Sequence, residues 1–566
     1  MMKLQSKLVT AVVLPLAIIG SGLAQANTLP DEQFVVGNPP TNERYTGINL
    51  ADADFAVDSF SSLEAMTGNG TTPNATITSR TPCQKIGSAG CEADKYFQYN
   101  ALLGFCDSTL ITDCVTKVFA KDQSGKEVVG KFVENYPGTT EYTYLGDSSI
   151  GLPTGASSFI VDFPDLAHQG GTQYLVVAYL QGSRSFNQTQ FRIENFNSAI
   201  FAVSKVSGNF SIPKPEPKLR PDITLKGRST SAGGFNQNQS VSRRSACIKT
   251  APGGCLIAWT LPTDITFGYS LKLHEKIKGW LHGRLSDAQA TITSASDGDQ
   301  LLSIEGKPTL IPAVYAWFKK SDYPAPLGKF YSSQDPKFVN ASGLGWPSND
   351  GVTNDGPDGL PYSILKEGFG YEEGSFKEVL AWIDSIGDKA SYARSAWSIR
   401  SMESQQYEKC MKGSDTLSGI VTTNSTMYIG NPPTFNRADQ TLDYKVISPH
   451  YLPDGSEFKG SYDLAIKGDV ARCIYGFSSA PISATISIIS SDGTSQVATT
   501  LVREKGEWLF LSAKNFTFSS PTVKVKLKQA SKKPLAKTVT ITCIKGKAIK
   551  KVTGSKPVCP AGYRKK

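Results

Sequence analysis

The sequence has few histidines and lacks the short motifs that most cofactor sites need. The four histidines, His168, His274, His282 and His450, are scattered, and no Cys-x-x-Cys pair accompanies them at the spacing of a zinc site. There is also no phosphate-binding loop and no specific dinucleotide-binding glycine pattern. These absences predict a protein without a cofactor. A general base or metal site built from distant histidines stays open, because folding brings remote residues together.

Long hydrophobic runs are absent except near the N-terminus. The run Leu8–Ile19 follows two basic residues, Lys3 and Lys7, and precedes the small-x-small sequence Ala24–Ala26. It is about a dozen residues long, short of the roughly 20 that a membrane-spanning helix needs. This layout is typical of a secretory signal peptide over residues 1–26. We therefore expect a secreted or cell-surface protein with no membrane span after cleavage.

Cysteine is present in an even number, ten, which suits a protein whose disulfides form outside the cytoplasm. Three close pairs each enclose seven residues, which favours bonding between neighbours. The predicted pairs are Cys83 with Cys91, Cys106 with Cys114, Cys247 with Cys255, Cys410 with Cys473, and Cys543 with Cys559.

Short runs of alternating hydrophobicity, bounded by Gly, Pro, Asn and Asp, predict a mainly β, multidomain protein with β-sandwich-like domains and a few helices in the middle domain. A chain of this length also exceeds what one core usually holds. The predicted divisions are a signal peptide (1–26), a β-rich N-terminal domain (27–212), a Pro-rich linker (213–221), an α+β middle domain (222–430), an Ig-like β-sandwich domain (431–526) and a basic, disulfide-closed module (527–566).

Two elements of the middle domain have strong patterns. Residues 265–273 alternate between apolar and polar side chains, which predicts a strand with one buried face. A capping-box pattern at Ser375 and Glu378, with Gly387 at the far end, predicts a helix. Farther along, residues 484–489 and 496–502 flank Asp-Gly and predict a hairpin.

The sequence Gly146-Asp147-Ser148 resembles the nucleophile block of the GDS-type esterases. Asp165 and His168 add an Asp-x-x-His pair. That family places the pair near the end of an α/β domain, whereas here it follows Ser148 closely, with no helical pattern between. We therefore predict that Gly146-Asp147-Ser148 is a turn after a strand at 141–145, and that it is not catalytic.

Acidic residues cluster before the predicted helix, at Glu367, Glu372 and Glu373. Paired carboxylates are what glycosidases use, but acids at a helix start are also favoured by the helix dipole. Trp382 and Trp397 nearby have two interpretations, core packing or stacking on a sugar.

The segment Asp350–Asp358 is rich in Asp, Asn and Gly. It contains enough oxygen ligands for Ca²⁺, but it lacks EF-hand spacing, and the same residues form ordinary polar turns. A calcium loop and a plain loop both remain open.

Positive charge is concentrated at the C-terminus. The net charge is +9, and residues 524–566 contain 14 Lys and Arg with no acid, so the rest of the chain carries 9 − 14 = −5. Such a block is either a solvated end or a site that binds a polyanion. We expect an anionic cell-envelope polymer as the partner rather than a specific nucleic acid. The predicted polyanion-binding residues are Lys545, Lys547, Lys550, Lys551, Arg564, Lys565 and Lys566.

The last residues, Thr538 to Lys566, with Cys543 and the ending Cys559-Pro-Ala-Gly-Tyr563, resemble a C-terminal module of secreted actinobacterial proteins. Segments 106–114, 280–284 and 444–526 are similar to uncharacterised exported proteins of that group. The resemblance implies a bacterial surface or secreted protein and assigns no role to any residue. The sequence thus favours a surface-associated binding or structural protein. The alternative is a secreted hydrolase acting on polysaccharide.

Overall fold

The computed structural model describes residues 45–50, 60–69, 76–140, 142–186, 188–208, 247–319, 321–333, 364–366, 373–402, 410, 417–478, 482–489, 495–497, 499–518, 522–529, 539–554 and 556–566. The predicted signal peptide (1–26), the linker (213–221), the segment Asp350–Asp358, and the acidic residues Glu367 and Glu372 lie outside these residues.

The described residues form a mainly β protein, as predicted. The strands of the first half are β1 (Tyr45–Leu50), β2 (Ser62–Asn69), β3 (Thr76–Pro82), β4 (Tyr96–Leu102), β5 (Cys114–Lys121), β6 (Glu127–Val129), β7 (Lys131–Tyr136), β8 (Ser158–Asp162), β9 (Gln173–Arg184), β10 (Arg192–Ser207), β11 (Cys247–Ala251), β12 (Gly254–Trp259), β13 (Thr266–Leu273), β14 (Gly279–Ser294) and β15 (Gln300–Lys319). Those of the second half are β16 (Ile364–Lys366), β17 (Tyr392–Ala396), β18 (Ser398–Met402), β19 (Leu417–Thr423), β20 (Met427–Tyr428), β21 (Thr434–Asn436), β22 (Thr441–Ile447), β23 (Lys459–Lys467), β24 (Ile482–Ile489), β25 (Ser495–Val497), β26 (Thr499–Lys505), β27 (Trp508–Thr517), β28 (Thr522–Gln529), β29 (Val539–Lys545), β30 (Ala548–Gly554) and β31 (Arg564–Lys565). Three α-helices accompany them in the described residues: α1 (Ala325–Ser332), α2 (Glu373–Ser385) and α3 (Gly468–Tyr475).

The largest core lies beneath β13, whose alternation was visible in the sequence. Phe267, Tyr269, Leu271 and Leu273 are fully buried, because successive side chains of a strand point to opposite faces. This strand pairs with β5 on one side and with β15 on the other.

These pairings correct the predicted boundary between the first two domains. Strand β13 belongs to the predicted middle domain and β5 to the predicted N-terminal domain, yet they share a sheet. Strands β10 and β12 join the same two segments a second time. The error has a physical cause: alternation shows which face of a strand is buried, but not which strand lies beside it.

A second core lies in a β-sandwich. One of its sheets contains β14, β19, β23 and β27, and the other contains β22, β28 and β24. Side chains such as Trp280, Tyr444 and Val525 fill the space between them. The sandwich predicted at 431–526 therefore exists, but it includes residues 279–284 and 417–428 and its strand β28 continues to Gln529.

Helix α2 confirms that a helix lies here, but it begins at Glu373, so Ser375 lies inside its first turn and the predicted capping box is wrong. Gly387 follows its end with a φ of +72°, a conformation that glycine adopts without strain. Trp382 is fully buried in this helix, and Trp397 is 1% exposed and donates its indole N–H to the Gly306 carbonyl. Both are core residues, so neither offers a surface for stacking on a sugar.

The disulfides observed are Cys83–Cys91, Cys106–Cys114, Cys410–Cys473 and Cys543–Cys559. Cys255 is also disulfide-bonded, whereas the side chain of its predicted partner Cys247 lies outside the described residues. Free cysteines are absent from the described part of the chain. Within the same residues, no helix has the length and apolar character needed to cross a membrane.

Candidate polyanion-binding module

The C-terminal module consists of β29, β30 and β31, which form a three-stranded sheet that pairs with no other strand in the described residues. A two-residue turn, Gly546-Lys547, joins β29 to β30, and Gly546 has a φ of +57°. The Cys543–Cys559 disulfide, with Cα atoms 5.6 Å apart, ties the middle strand to the chain before β31. Local pairing and one cross-link thus hold the module together.

Cations occupy both faces of this sheet. Lys550 and Lys565 lie directly across from Cys543 on the two neighbouring strands, so their side chains share its face. Lys551 lies across from Thr542, on the opposite face. All the cations predicted from the sequence are exposed: Lys545, Lys547, Lys550, Lys551, Arg564, Lys565 and Lys566.

These cations have no acidic neighbours in the module. Residues 539–566 contain no Asp or Glu, and none of the seven predicted cations forms an ion pair with a described residue. The module also exposes apolar side chains, among them Ile549, which is 66% exposed. The module can attract an extended anion, because many positive charges without acidic partners lie on one small sheet.

The esterase-like residues are engaged in local contacts, mostly with the backbone. Ser148 starts a short 3-10 helix, and Asp147 caps it by accepting hydrogen bonds from the Ser149 N–H and hydroxyl. His168 Nδ1 accepts the Gly170 N–H, so Nε2 carries the proton that is donated to the Gln173 carbonyl. Both ring nitrogens are thereby used by the backbone, and burial lowers the pKa of His168.

The turn predicted at Gly146-Asp147-Ser148 is therefore confirmed, whereas the strand predicted just before it, at 141–145, is not present in the described residues 142–145. An isolated β-bridge lies there instead, in which Tyr144 exchanges two backbone hydrogen bonds with Gly155.

Two other histidines each contact an aspartate that the sequence did not suggest. His450 Nδ1 lies 2.6 Å from Asp388 Oδ2, and His274 Nδ1 lies 3.2 Å from Asp299 Oδ1. Such contacts orient an imidazole, but the structure shows no hydroxyl or thiol nucleophile hydrogen-bonded to either ring among the described residues. Groups of His, Cys, Asp and Glu arranged to hold a metal are likewise not found in the described chain.

Asp113 lies beside the second of these pairs and is 5% exposed. Its carboxylate accepts the backbone N–H of His274 at 2.9 Å. Burial raises the pKa of Asp113 to about 6, although this hydrogen bond opposes the shift. Its φ of +51° lies in the left-handed region, which asparagine also tolerates.

Replacing Asp113 by Asn should stabilise the protein above pH 6. The pKa of Asp113 in the folded protein exceeds the ordinary value of 3.8. Protonated Asp113 therefore stabilises the folded state fully below about pH 4, and this stabilisation is lost as the pH rises through 6. The amide keeps an acceptor for His274 without a buried charge. We expect the variant to gain about 3 kcal/mol at pH 8 and little at pH 4. Urea unfolding at both pH values checks this, and an equal gain at pH 4 would contradict it.

A buried polar cluster inside the sandwich has no counterpart in the sequence-based predictions. Arg284 is fully buried and donates to the carbonyls of Thr423, Ser425 and Thr426 at 3.1, 2.6 and 3.3 Å. Its guanidinium lies 4.4 Å from the centre of the Tyr428 ring, on which His282 also stacks at 3.4 Å. The only sequence signal of this cluster is the alternation of side chains along β14, which places His282 and Arg284 on the same face as Trp280.

Burial, with Arg284 and Arg400 nearby, holds the pKa of His282 well below its usual range, so this ring is neutral at physiological pH. The cluster is enclosed by core residues and thus stabilises the sandwich rather than forming an accessible site.

Comparison of the chain with protein families, curated proteins and solved structures finds no match.

Proposed function

We propose that this is an exported, cell-envelope-associated protein with a binding or structural role, and that its C-terminal module attaches it to an anionic envelope polymer. The observation that carries the proposal is the separate, disulfide-closed sheet that exposes cations on both faces and contains no acid. The signal-peptide pattern and the disulfides support a location outside the cytoplasm. The resemblance of residues 538–566 to an actinobacterial module supports a bacterial envelope.

Two physical features favour attachment through this module. Its strands are already paired and cross-linked, so binding orders fewer groups and costs less entropy. Residues 1–523 carry a net charge of −5 and are repelled by an anionic surface. Attachment therefore depends on the basic C-terminal segment, which contains the module. It also depends on salt, because the screening length falls from about 8 Å at physiological ionic strength to about 3 Å at 1 M.

Neutralising the module should release the protein from envelope fractions. We would replace Lys545, Lys547, Lys550 and Lys551 by Gln in the full chain. At about 1 kcal/mol for each cation near an anionic surface, affinity for washed envelopes should fall by roughly 10²- to 10³-fold. Sedimentation with envelopes at increasing NaCl concentrations measures the effect, and 1 M NaCl should release the unchanged protein.

The matched control replaces four exposed lysines elsewhere, Lys85, Lys126, Lys377 and Lys389, and so removes the same charge. If envelope fractions retain the module variant as firmly as the control, the C-terminus is only a solvated end. Failure of 1 M NaCl to release the unchanged protein would contradict electrostatic attachment.

A further inference from the structure

A second basic surface lies on the sandwich, outside the C-terminal module. Strand β28 buries Val523, Val525 and Leu527 in the second core, so the alternate residues point outward. These outward residues are Lys524, Lys526 and Lys528, here called the lysine row. Neighbours in the row lie about 6.6 Å apart along the strand.

The surroundings of the lysine row suit an anion. On β24, three hydroxyl residues lie directly opposite the lysines: Ser487 faces Lys524, Thr485 faces Lys526, and Ser483 faces Lys528. Hydroxyls donate hydrogen bonds to oxyanions, and lysine binds phosphate as a point charge. The Ser483 hydroxyl donates to the Lys528 carbonyl at 3.3 Å, so the hydroxyls proposed to contact the anion are those of Thr485 and Ser487. The outer face thus combines both kinds of group at a regular spacing.

Acidic neighbours of the lysine row lie beside Lys524. Lys524 lies 2.5 Å from Asp439 Oδ2 and 3.6 Å from Asp443 Oδ2, and these contacts raise its pKa. Lys526 and Lys528 are exposed and form no ion pair with any residue that the structure describes. The charge of Lys526 still helps to lower the pKa of Asp439, so compensation decreases along the row toward the end of β28 that leads to the C-terminal module.

The two basic surfaces are close along the chain. Strand β28 ends at Gln529 and β29 begins at Val539, which leaves nine residues, 530–538, between them. A connection of this length keeps the two ends within about 35 Å of each other. A polymer held at one surface is thus present near the other at a high effective concentration.

We propose that the lysine row is a second subsite for the same polymer, which is phosphate-bearing and long enough to engage the row and the module together. This inference rests on the proposed attachment function and adds bivalency to it. Two linked subsites bind a long polymer more tightly than either alone, whereas a short anion occupies one subsite at a time.

The test compares long-chain polyphosphate with tripolyphosphate as probes for the full chain. The row variant carries Lys526→Gln and Lys528→Gln, and its control carries Lys85→Gln and Lys377→Gln. For long-chain polyphosphate, we expect the row variant to lose about five- to thirtyfold in affinity. The slope of log K against log salt should become shallower by about 1 to 2 units. The preference for the long probe over tripolyphosphate should fall in the row variant but not in the control.

The outcomes separate this inference from the proposed function. If the row variant binds long-chain polyphosphate as tightly as its control, the proposal of a second subsite is wrong. This conclusion holds whether or not the module binds the probe. If neutralising Lys545, Lys547, Lys550 and Lys551 has no effect on that probe, the proposed attachment fails independently. A loss confined to binding of anionic phospholipid vesicles would overturn the polymer as the ligand. Unchanged far-ultraviolet circular dichroism and melting confirm that each variant is folded.

Discussion

Replacing Arg284 by Met is expected to lower the free energy of unfolding of the sandwich by about 3–5 kcal/mol. The guanidinium donates to the carbonyl of Thr423 at the end of β19 and to two carbonyls in the connection between β19 and β20. This connection carries the chain from one sheet of the sandwich to the other. Methionine fills much of the space, but it leaves those buried acceptors without their donor. Each unsatisfied buried group costs about 1–3 kcal/mol.

Guanidinium denaturation followed by tryptophan fluorescence measures this loss, since Trp280 lies in the same core. Arg503→Met is the control, because Arg503 is exposed and its removal should change the stability by less than about 0.5 kcal/mol. A loss below about 1 kcal/mol in Arg284→Met would mean that the apolar side chain packs well enough to replace the hydrogen bonds.

The same substitution has a second consequence at His282. Arg284 is among the groups that hold the pKa of His282 below its usual range. Removing that cation should bring the pKa of His282 upward, and nuclear magnetic resonance of the imidazole reports the change. Burial is the larger cause and remains, so the ring should still titrate below its ordinary value.

Local features of the fold could be predicted from the sequence. The buried face of β13 and the existence of helix α2 follow from side-chain periodicity, and the turn residues Asp492-Gly493 indicate the hairpin of β24 and β25. The strand predicted at 496–502 is divided, however, because β25 pairs with β24 whereas β26 pairs with β27. Close cysteine pairs such as Cys83–Cys91 were also predictable, because short loops close at a small entropic cost.

Features that depend on distant segments could not be predicted. The pairing of β5 with β13 joins residues more than a hundred positions apart, and no residue pattern specifies it. The contact between His450 and Asp388 is of the same kind, since it joins residues 62 positions apart. The cluster around Arg284 also joins distant segments. It was harder still to predict, because arginine is usually exposed and nothing in the composition indicates that this one is buried.

The candidate site was more predictable than the fold around it. Its cations, its turn and its disulfide all lie within residues 539–566, so the whole module is local in sequence. The upstream limit was less accurate, however. The predicted basic module started at residue 527, whereas the structure assigns β28 as far as Gln529 to the sandwich.

Because β28 belongs to the sandwich, the starting point of a deletion decides whether the module is removed alone. Strand β28 pairs with β22 on one side and with β24 on the other, and it contributes fully buried Val525 and the 3% exposed Leu527 to the core. Deleting residues 524–566, the whole acid-free basic segment, should therefore unfold the sandwich. Loss of each buried aliphatic side chain costs about 2–5 kcal/mol, and the unpaired edges of β22 and β24 add to that cost.

Deleting residues 530–566 should instead leave the unfolding midpoint of the sandwich unchanged, because β29, β30 and β31 pair only with one another in the described residues. Circular dichroism melts and limited proteolysis of both truncated proteins distinguish the two cases. Equal destabilisation by the two deletions would mean that the module stabilises the sandwich, and equal stability would mean that β28 is dispensable. Only the shorter deletion isolates attachment from folding, since loss of envelope binding after the longer one would follow from unfolding alone.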